Sequence, residues 1–408
     1  MKVSVPHAEE IPGTSPWSVT SAATGQRADA SQRFEFVDVG QEYQRSDVQA
    51  AWRHLLATRR SPERLYQLPA FFDYLMETGP AGEAACHLHL VRRRSDARIV
   101  GVVPGRKTTQ TVNVRLGPLT LFTRTVPVYQ VLGSLPLLDA GEEDLGGFVM
   151  KSLLQNYPDC RALLLQAVPA ELAGAIGGNG LSRHVMQGWR DCHTVPLPAD
   201  VETYLQKLSA KKRYNLSRQV RLLSKEAGEV ALVRVEHAHQ VAALTEAIQK
   251  LHGAEDFVVQ NSQAKLESLA RHGLLHSYLL QCGGRTIALV LGTRSDEVWH
   301  VHNIFCDPAY ASLSVGTSVV HLALQDAIAS SHFIHADFGY GTPNQEFRST
   351  HILQRRGKLL LCRSRSMTGL MFRLHGIQDR MNEALIGYVK TLRKRQKARK
   401  RASKQVGK

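Results

Sequence analysis

Asp337-Phe-Gly-Tyr-Gly341 gathers a carboxylate, a phenol and two glycines in one short stretch of this chain. Asp337 is able to take a proton and Tyr340 to give one, while Gly339 and Gly341 permit a tight turn beside a substrate. The same Asp-Phe-Gly occurs in protein kinases, but no His-Arg-Asp loop or glycine-rich phosphate loop precedes it here, which excludes that chemistry. Upstream, His300 and His302 alternate within an apolar run, so a strand there puts both rings on one face. His302 is a second candidate base. The pair is alternatively half of a metal site or a packing feature, and with no third ligand at hand no metal is assigned.

Two further stretches are suited to holding anions. Leu313-Ser314-Val315-Gly316-Thr317 precedes a helical pattern. A helix start has unpaired N–H groups and a positive partial charge, so this loop is able to seat a phosphate, with Gly316 letting the backbone come close; the alternative is an ordinary cap. Lys207 to Lys225 carries Lys207, Lys211, Lys212, Arg213, Arg218, Arg221 and Lys225. Such a run contacts a phosphorylated ligand, an anionic acceptor or tRNA, or is a solvated helix face. Lys211, Arg213 and, beyond the glycine turn, Arg348 are the candidate acceptor contacts.

The elements that must position these residues are strands alternating with helices. In the second half, strand 229–235 leads to helices 237–252 and 263–272. A hairpin of 275–281 and 285–292 then turns at Gly283-Gly284, and strand 297–305 leads to a helix from Gly316 to Ala329. Strands 332–338 and 358–362 follow. The first half reads as strands 85–94 and 98–104, a helix 142–155 and a strand 161–168, again an α/β grammar. Arg98-Ile-Val-Gly-Val-Val and Arg285-Thr-Ile-Ala-Leu-Val fall at matching places, which suggests a duplicated unit or a chance likeness of two hairpins.

Composition sets the outer limits. The 408 residues, 43% of them hydrophobic, are enough for two cores. No apolar run is long enough to span a membrane, and the N-terminus has no signal-like segment, so a cytoplasmic protein is expected. Cys86, Cys160, Cys192, Cys282, Cys306 and Cys362 form no CxxC pair and read as reduced thiols. The net charge of +15 resembles a nucleic-acid signature until the tail is removed: Arg393 to Lys408 holds nine Lys/Arg and no acid, and without it the charge is +6. No DNA specificity is expected. Residues 1–33 are poor in large apolar side chains and read as a disordered leader.

The order strand, loop with Gly316, helix, strand ending in Asp337-Phe-Gly-Tyr-Gly341, and polar stretch with Phe347-Arg348 resembles the GNAT acetyltransferases. It is most similar to the subgroup with CelD/BioF-like domains, related to Fem-type transferases, in which a basic helix like Leu208 to Arg218 precedes the catalytic domain. The resemblance covers about 200–365 and extends faintly to a degenerate first copy. It implies tandem GNAT-like α/β units, each a mixed sheet flanked by helices: 34–197 degenerate and 198–365 catalytic, with an amphipathic helix and basic tail over 366–408.

By the same resemblance, acyl-CoA, acetyl-CoA in the simplest case, binds between two splayed strands with its pyrophosphate on 313–317. A small-molecule, saccharide or peptide acceptor, in polysaccharide or cell-envelope synthesis, then attacks the thioester through an amine or hydroxyl. The usual GNAT loop reads Gln/Arg-x-x-Gly-x-Gly/Ala, whereas this chain has Ser312-Leu-Ser-Val-Gly316-Thr. Two other readings stay open: a Fem-type transferase using aminoacyl-tRNA, and a non-catalytic module holding a polyanion. Met367 to Arg395 repeats apolar residues at helical spacing, either to pack on the catalytic domain or, with the tail, to lie on an anionic membrane at the inner face.

Overall fold

In the computed structural model, residues 30–58, 62–79, 86–116, 119–142, 145–174, 176, 180–252, 262–330, 333–340 and 350–378 are described. After a helical turn at Ala30–Arg33, the first half contains β1 (Phe34–Asp38), helices Ser46–Thr58 and Pro69–Thr78, β2 (Cys86–Arg93), β3 (Ile99–Leu116) and β4 (Leu119–Val131). It continues with the two-residue β5 (Leu137–Leu138), a helix Gly146–Asn156, β6 (Ala162–Pro169) and β7 (Leu181–Pro196). Helices Val201–Gln206 and Ala210–Ala227 then lead into the second half: β8 (Val230–Val235), helices Val241–His252 and Gln263–Arg271, β9 (Ser277–Cys282), β10 (Arg285–Arg294), β11 (Val298–Cys306), a helix Val315–Ser330, β12 (His335–Tyr340) and β13 (Ile352–Arg363). The two halves run through the same series. β3 and β10, which hold the two matching hexapeptides, occupy the same place in it.

The described strands form one mixed sheet in the order β1-β2-β3-β4-β6-β13-β7-β12-β11-β10-β9-β8, with β5 beside β3. Its two wings meet at the centre by exchange. The last strand of the second half, β13, pairs with β6 of the first, and the last strand of the first half, β7, pairs with β12 of the second. β13 and β7 also pair with each other, antiparallel, from Ile352↔Thr194 to Arg363↔Leu181. The fold is therefore the expected α/β tandem, but a cut between 197 and 198 divides the chain without dividing the sheet.

Local chemistry accounts for the elements. Asp200 Oδ1 accepts the Thr203 N–H at 2.7 Å, and Ser209 Oγ accepts that of Lys212 at 3.3 Å, so two side-chain caps start the consecutive helices. The β9–β10 hairpin turns on Gly283 and Gly284, both at positive φ (53° and 78°), the requirement of its two-residue turn. Trp52 and Phe72 of the first helices pack over Leu88, Leu90 and Val102, while Val319, Val320, Ala323, Leu324 and Ala327 of the helix Val315–Ser330 pack on Tyr278, Val290, Trp299 and Ala336. The expected strand 98–104 extends to Leu116, and β4 and β7 were not expected. Lys107-Thr-Thr-Gln-Thr lacks the apolar alternation of a half-buried strand because the outer hairpin is largely open on both faces.

The likeness of the two halves reaches individual side chains. In the first half Asp38 lies opposite His89, and Tyr157 Oη lies 3.2 Å from Asp38 Oδ2 and 3.0 Å from His89 Nε2. In the second, His276 Nδ1 lies 2.6 Å from Glu236 Oε1, its Nε2 lies 2.8 Å from Tyr278 Oη, and that phenol donates to Asp326. Each wing thus closes one end with an acid–His–Tyr cluster. Burial pushes His89, His184, His300 and His321 down to about 4.

A histidine held neutral in the folded chain takes up its proton first in the unfolded one, near the ordinary 6.5. Stability is thus complete above that value and lost as pH falls from 6.5 toward 4, each histidine adding a slope of up to about 1.4 kcal/mol per pH unit. Urea midpoints should hold between pH 8 and 7 and drop steeply across that window. A midpoint that stays level down to pH 4 would contradict this burial.

Candidate functional site

β11 and β12 run parallel and pair at Val298↔His335, Trp299↔Ala336 and His300↔Asp337. Beyond that last pair both strands continue, β11 to Cys306 and β12 to Tyr340, without pairing to each other. One cause lies in β11. Leu291 of β10 faces Asn303 and Gly292 faces Val301, so His302 is an extra residue in the ladder, a bulge that bends the strand. The second lies in β12, where the register with β7 shifts between Asp337 and Tyr340 and Gly339 sits at φ 61°. Two adjacent parallel strands are thereby split at their C-terminal ends, the side of an open α/β sheet where ligands bind.

Side chains from three strands meet at the fork. Asp337 is 5% exposed; its Oδ1 accepts the Gly339 N–H at 2.8 Å, which ties down the turn, and its Oδ2 accepts from Arg356 Nη1 at 2.7 Å. Arg356, on β13, is 2% exposed, and its Nε donates to Gln354 Oε1 at 2.9 Å. This ion pair couples an exchanged strand to the end of β12. His300 is buried beside it, and among the described residues its Nε2 has no hydrogen-bond partner. His302 Nε2 lies 2.7 Å from Thr293 Oγ1. His302 is exposed toward the end of β11, and desolvation by the surrounding protein lowers its pKa from the ordinary imidazole value.

The loop before the helix Val315–Ser330 adjoins the same strand. Ser314 takes a left-handed conformation (φ 55°, ψ 39°), and its carbonyl accepts the N–H groups of Thr317 and Ser318 at 3.0 Å. Val315 and Gly316 lie upstream of that closure, where first-turn N–H groups have no intrahelical partner. A Cβ on Gly316 would stand 3.1 Å from Cys306 Sγ, so the glycine also lets the helix start press against the end of β11.

The sequence-derived residues divide accordingly. Asp337, His302, Gly339 and, through its loop, Leu313 to Thr317 gather around the end of β11 and its fork with β12. Tyr340 is exposed on the far side of the turn, its ring 4.6 Å from the Arg190 guanidinium. Lys211 is exposed near the start of the basic helix, whereas Arg213 turns back and donates to the carbonyls of Leu208 (2.7 Å) and Leu205. Gly341 and Arg348 lie outside the described residues. Arg356 was missed: it precedes the apolar run Leu359-Leu-Leu361, and nothing in its own neighbourhood names a partner on another strand.

Residues 210–348 match the family described as acetyltransferase (GNAT) domain. The chain carries a GNAT-type acetyltransferase domain. The forked strands, the loop and the helix Val315–Ser330 all fall within that GNAT domain. Among solved structures, FemX resembles 80% of this chain over 96% of its own, with a TM-score of 0.53 at 10% identity, so the two share a fold. A tandem GNAT protein from the clavulanic acid biosynthesis pathway gives a TM-score of 0.48 at 12% identity, covering 82% of this chain and 99% of its own. A conserved protein of unknown function from Bacteroides thetaiotaomicron gives 0.48 at 9% identity, with 77% and 97% covered. No curated protein sequence matches the chain.

The buried pair beneath the fork predicts an asymmetric response. Asp337→Asn removes the carboxylate from a buried ion pair and should destabilise the protein by about 3–5 kcal/mol, while Asp337→Leu combined with Arg356→Met should be far milder than the sum of its parts. Urea unfolding of the three variants measures this; additive losses would show that the two groups act independently.

Proposed function

We propose that the second half transfers an acyl group, acetyl in the simplest case, from acyl-CoA to an amine or hydroxyl of a small-molecule, saccharide or peptide acceptor. The observation that carries this reading is the parting of β11 and β12 after His300↔Asp337 inside a GNAT domain. A fork of that kind leaves backbone N–H groups of β11 unmatched by β12, able to polarise a thioester carbonyl lying between the strands. The start of the helix Val315–Ser330 suits the diphosphate of the donor, and exposed Lys211 is a candidate to add positive charge.

His302 is the proton acceptor in this reading. It is neutral over a wider pH range than a free imidazole, and it lies on the strand that would bind the thioester. His302 takes the proton of the attacking amine or hydroxyl as the new bond to the acyl carbon forms. The tetrahedral centre then collapses, the carbon–sulfur bond breaks, and the departing thiolate takes its proton from solvent, since Tyr340 is turned away beside Arg190. Asp337, with both oxygens engaged, fixes the turn rather than taking the proton.

Titration calorimetry of the full chain with acetyl-CoA, beside Thr317→Glu, tests the donor. A glutamate in the first turn suits the helix dipole, so the variant should keep its melting temperature while losing acetyl-CoA affinity by more than about tenfold. Equal affinities would remove the diphosphate from this loop. No binding by the folded wild type, together with binding of aminoacyl-tRNA, would instead select the Fem-type donor.

A second expectation concerns His302 itself. His302→Gln should lower kcat by roughly 10²- to 10⁴-fold with little change in KM for the donor. In the wild type, the acid limb of kcat/KM should lie below pH 6.5, because desolvation favours the neutral base. A limb above 6.5 would point to another group.

A further inference from the structure

β13 runs into a helix over residues 367–378 that is apolar on two sides. Its inner side is satisfied: Phe372 is 1% exposed and packs with Val112, Val126, Leu164 and Leu360, and His375 Nε2 lies 3.0 Å from the Asn113 carbonyl. Its outer side carries Met367, Leu370, Leu374 and Ile377, which are 80%, 49%, 59% and 49% exposed. These positions follow i, i+3, i+7 and i+10, one continuous stripe on a helix. Phe122, 51% exposed on β4, lies opposite Val114 of β3, one residue beyond the Asn113 that meets His375, and extends the apolar surface. Single exposed hydrophobic residues are unremarkable, but a row of four large ones with an adjoining phenylalanine requires a cover.

Charge narrows the choice of cover. Arg363, Arg365 and Arg373 are exposed before and along the helix. In sequence, Met381, Leu385 and Leu392 prolong the stripe, and nine Lys/Arg with no acid follow from Arg393 to Lys408. A second copy of the same surface would bring like charges together around the seam, whereas an anionic bilayer offers acyl chains for the stripe and headgroup charge for the arginines. No helix among the described residues is long and apolar enough to cross a membrane, so the contact is one of lying on the surface.

We infer that the outer face of the helix 367–378, with Phe122, docks the protein on an anionic lipid bilayer, and that the basic tail strengthens the contact. This does not depend on the acyl-transfer reading. The experiment is co-sedimentation of the full chain with vesicles of phosphatidylglycerol and phosphatidylcholine, or of phosphatidylcholine alone, at physiological salt. Leu370→Asp/Leu374→Asp serves as the variant, its fold checked by its melting temperature; both positions are exposed, so folding should persist. The mixed vesicles should bind the wild type at least roughly tenfold more tightly than the neutral ones, and the variant should lose at least about as much on the mixed vesicles. Failure to bind the mixed vesicles would overturn the inference. So would binding that the double variant leaves unchanged, since that assigns the attraction to the tail alone. A dimer that forms without vesicles and is dissolved by the same variant would replace the bilayer with a second copy.

Discussion

The reciprocal exchange of β7 and β13 is the constraint on which the rest of the molecule hangs. Each wing supplies the other with its last strand, and the two strands lie side by side along most of their length. A sheet built in this way has no internal edge at its centre, where an open edge would invite association. It also decides what surrounds the fork. β12 is bounded on one side by a strand of its own half and on the other by a strand of the first half, and the arginine neutralising Asp337 arrives on the next strand over. The chemistry of the second half is therefore framed by both halves, although the residues at the fork's open end belong to one.

The two wings have diverged around a shared frame. In the second, β11 is split from β12 by an extra residue and a glycine turn. In the first, β4 pairs with β6 from Val128↔Ala162 to Val131↔Leu165, up to the end of β4, so no corresponding gap opens between them. What both hold is an acid–His pair at one end of the wing, Asp38 with His89 and Glu236 with His276, each joined by a tyrosine from a different element. The fork occurs in one wing and the acid–His pair in both, which separates the candidate site from the frame that carries it.

Much of this could be read from the residues, and the failures have physical causes. The order of strands and helices in the second half followed from apolar period and turn chemistry. The placement of Asp337 near a strand end and of Ser314 to Thr317 at a helix start followed from local glycine and cap patterns. The outer part of β4 escaped because residues 122–125 are exposed and lack the apolar alternation of a half-buried strand, while β7 puts His184, Cys192 and Thr194 among its buried positions and so reads as polar. The bulge at His302 is a property of register, visible only once β10 lies beside it. Arg213 looked like one more ligand-seeking cation in a charged run, but its guanidinium turns back onto the carbonyls of Leu205 and Leu208, at and just beyond the end of the preceding helix. Arg356 attracted no reading because its partner lies nineteen positions upstream on a strand that is not its immediate neighbour.

The exchanged strands also bear on how the chain matures. When the first 197 residues have left the ribosome, β6 still lacks the neighbour it will have in the finished sheet, because β13 has yet to be made. The nascent first wing must wait, one flank unzipped, through more than a hundred and fifty further residues before β13 can slot between β6 and β7. Pairing over so long a loop is slow, and an exposed flank is vulnerable while it lasts. Biogenesis of this protein thus ends in a single late closure at the centre of the sheet, rather than in two domains completed one after the other.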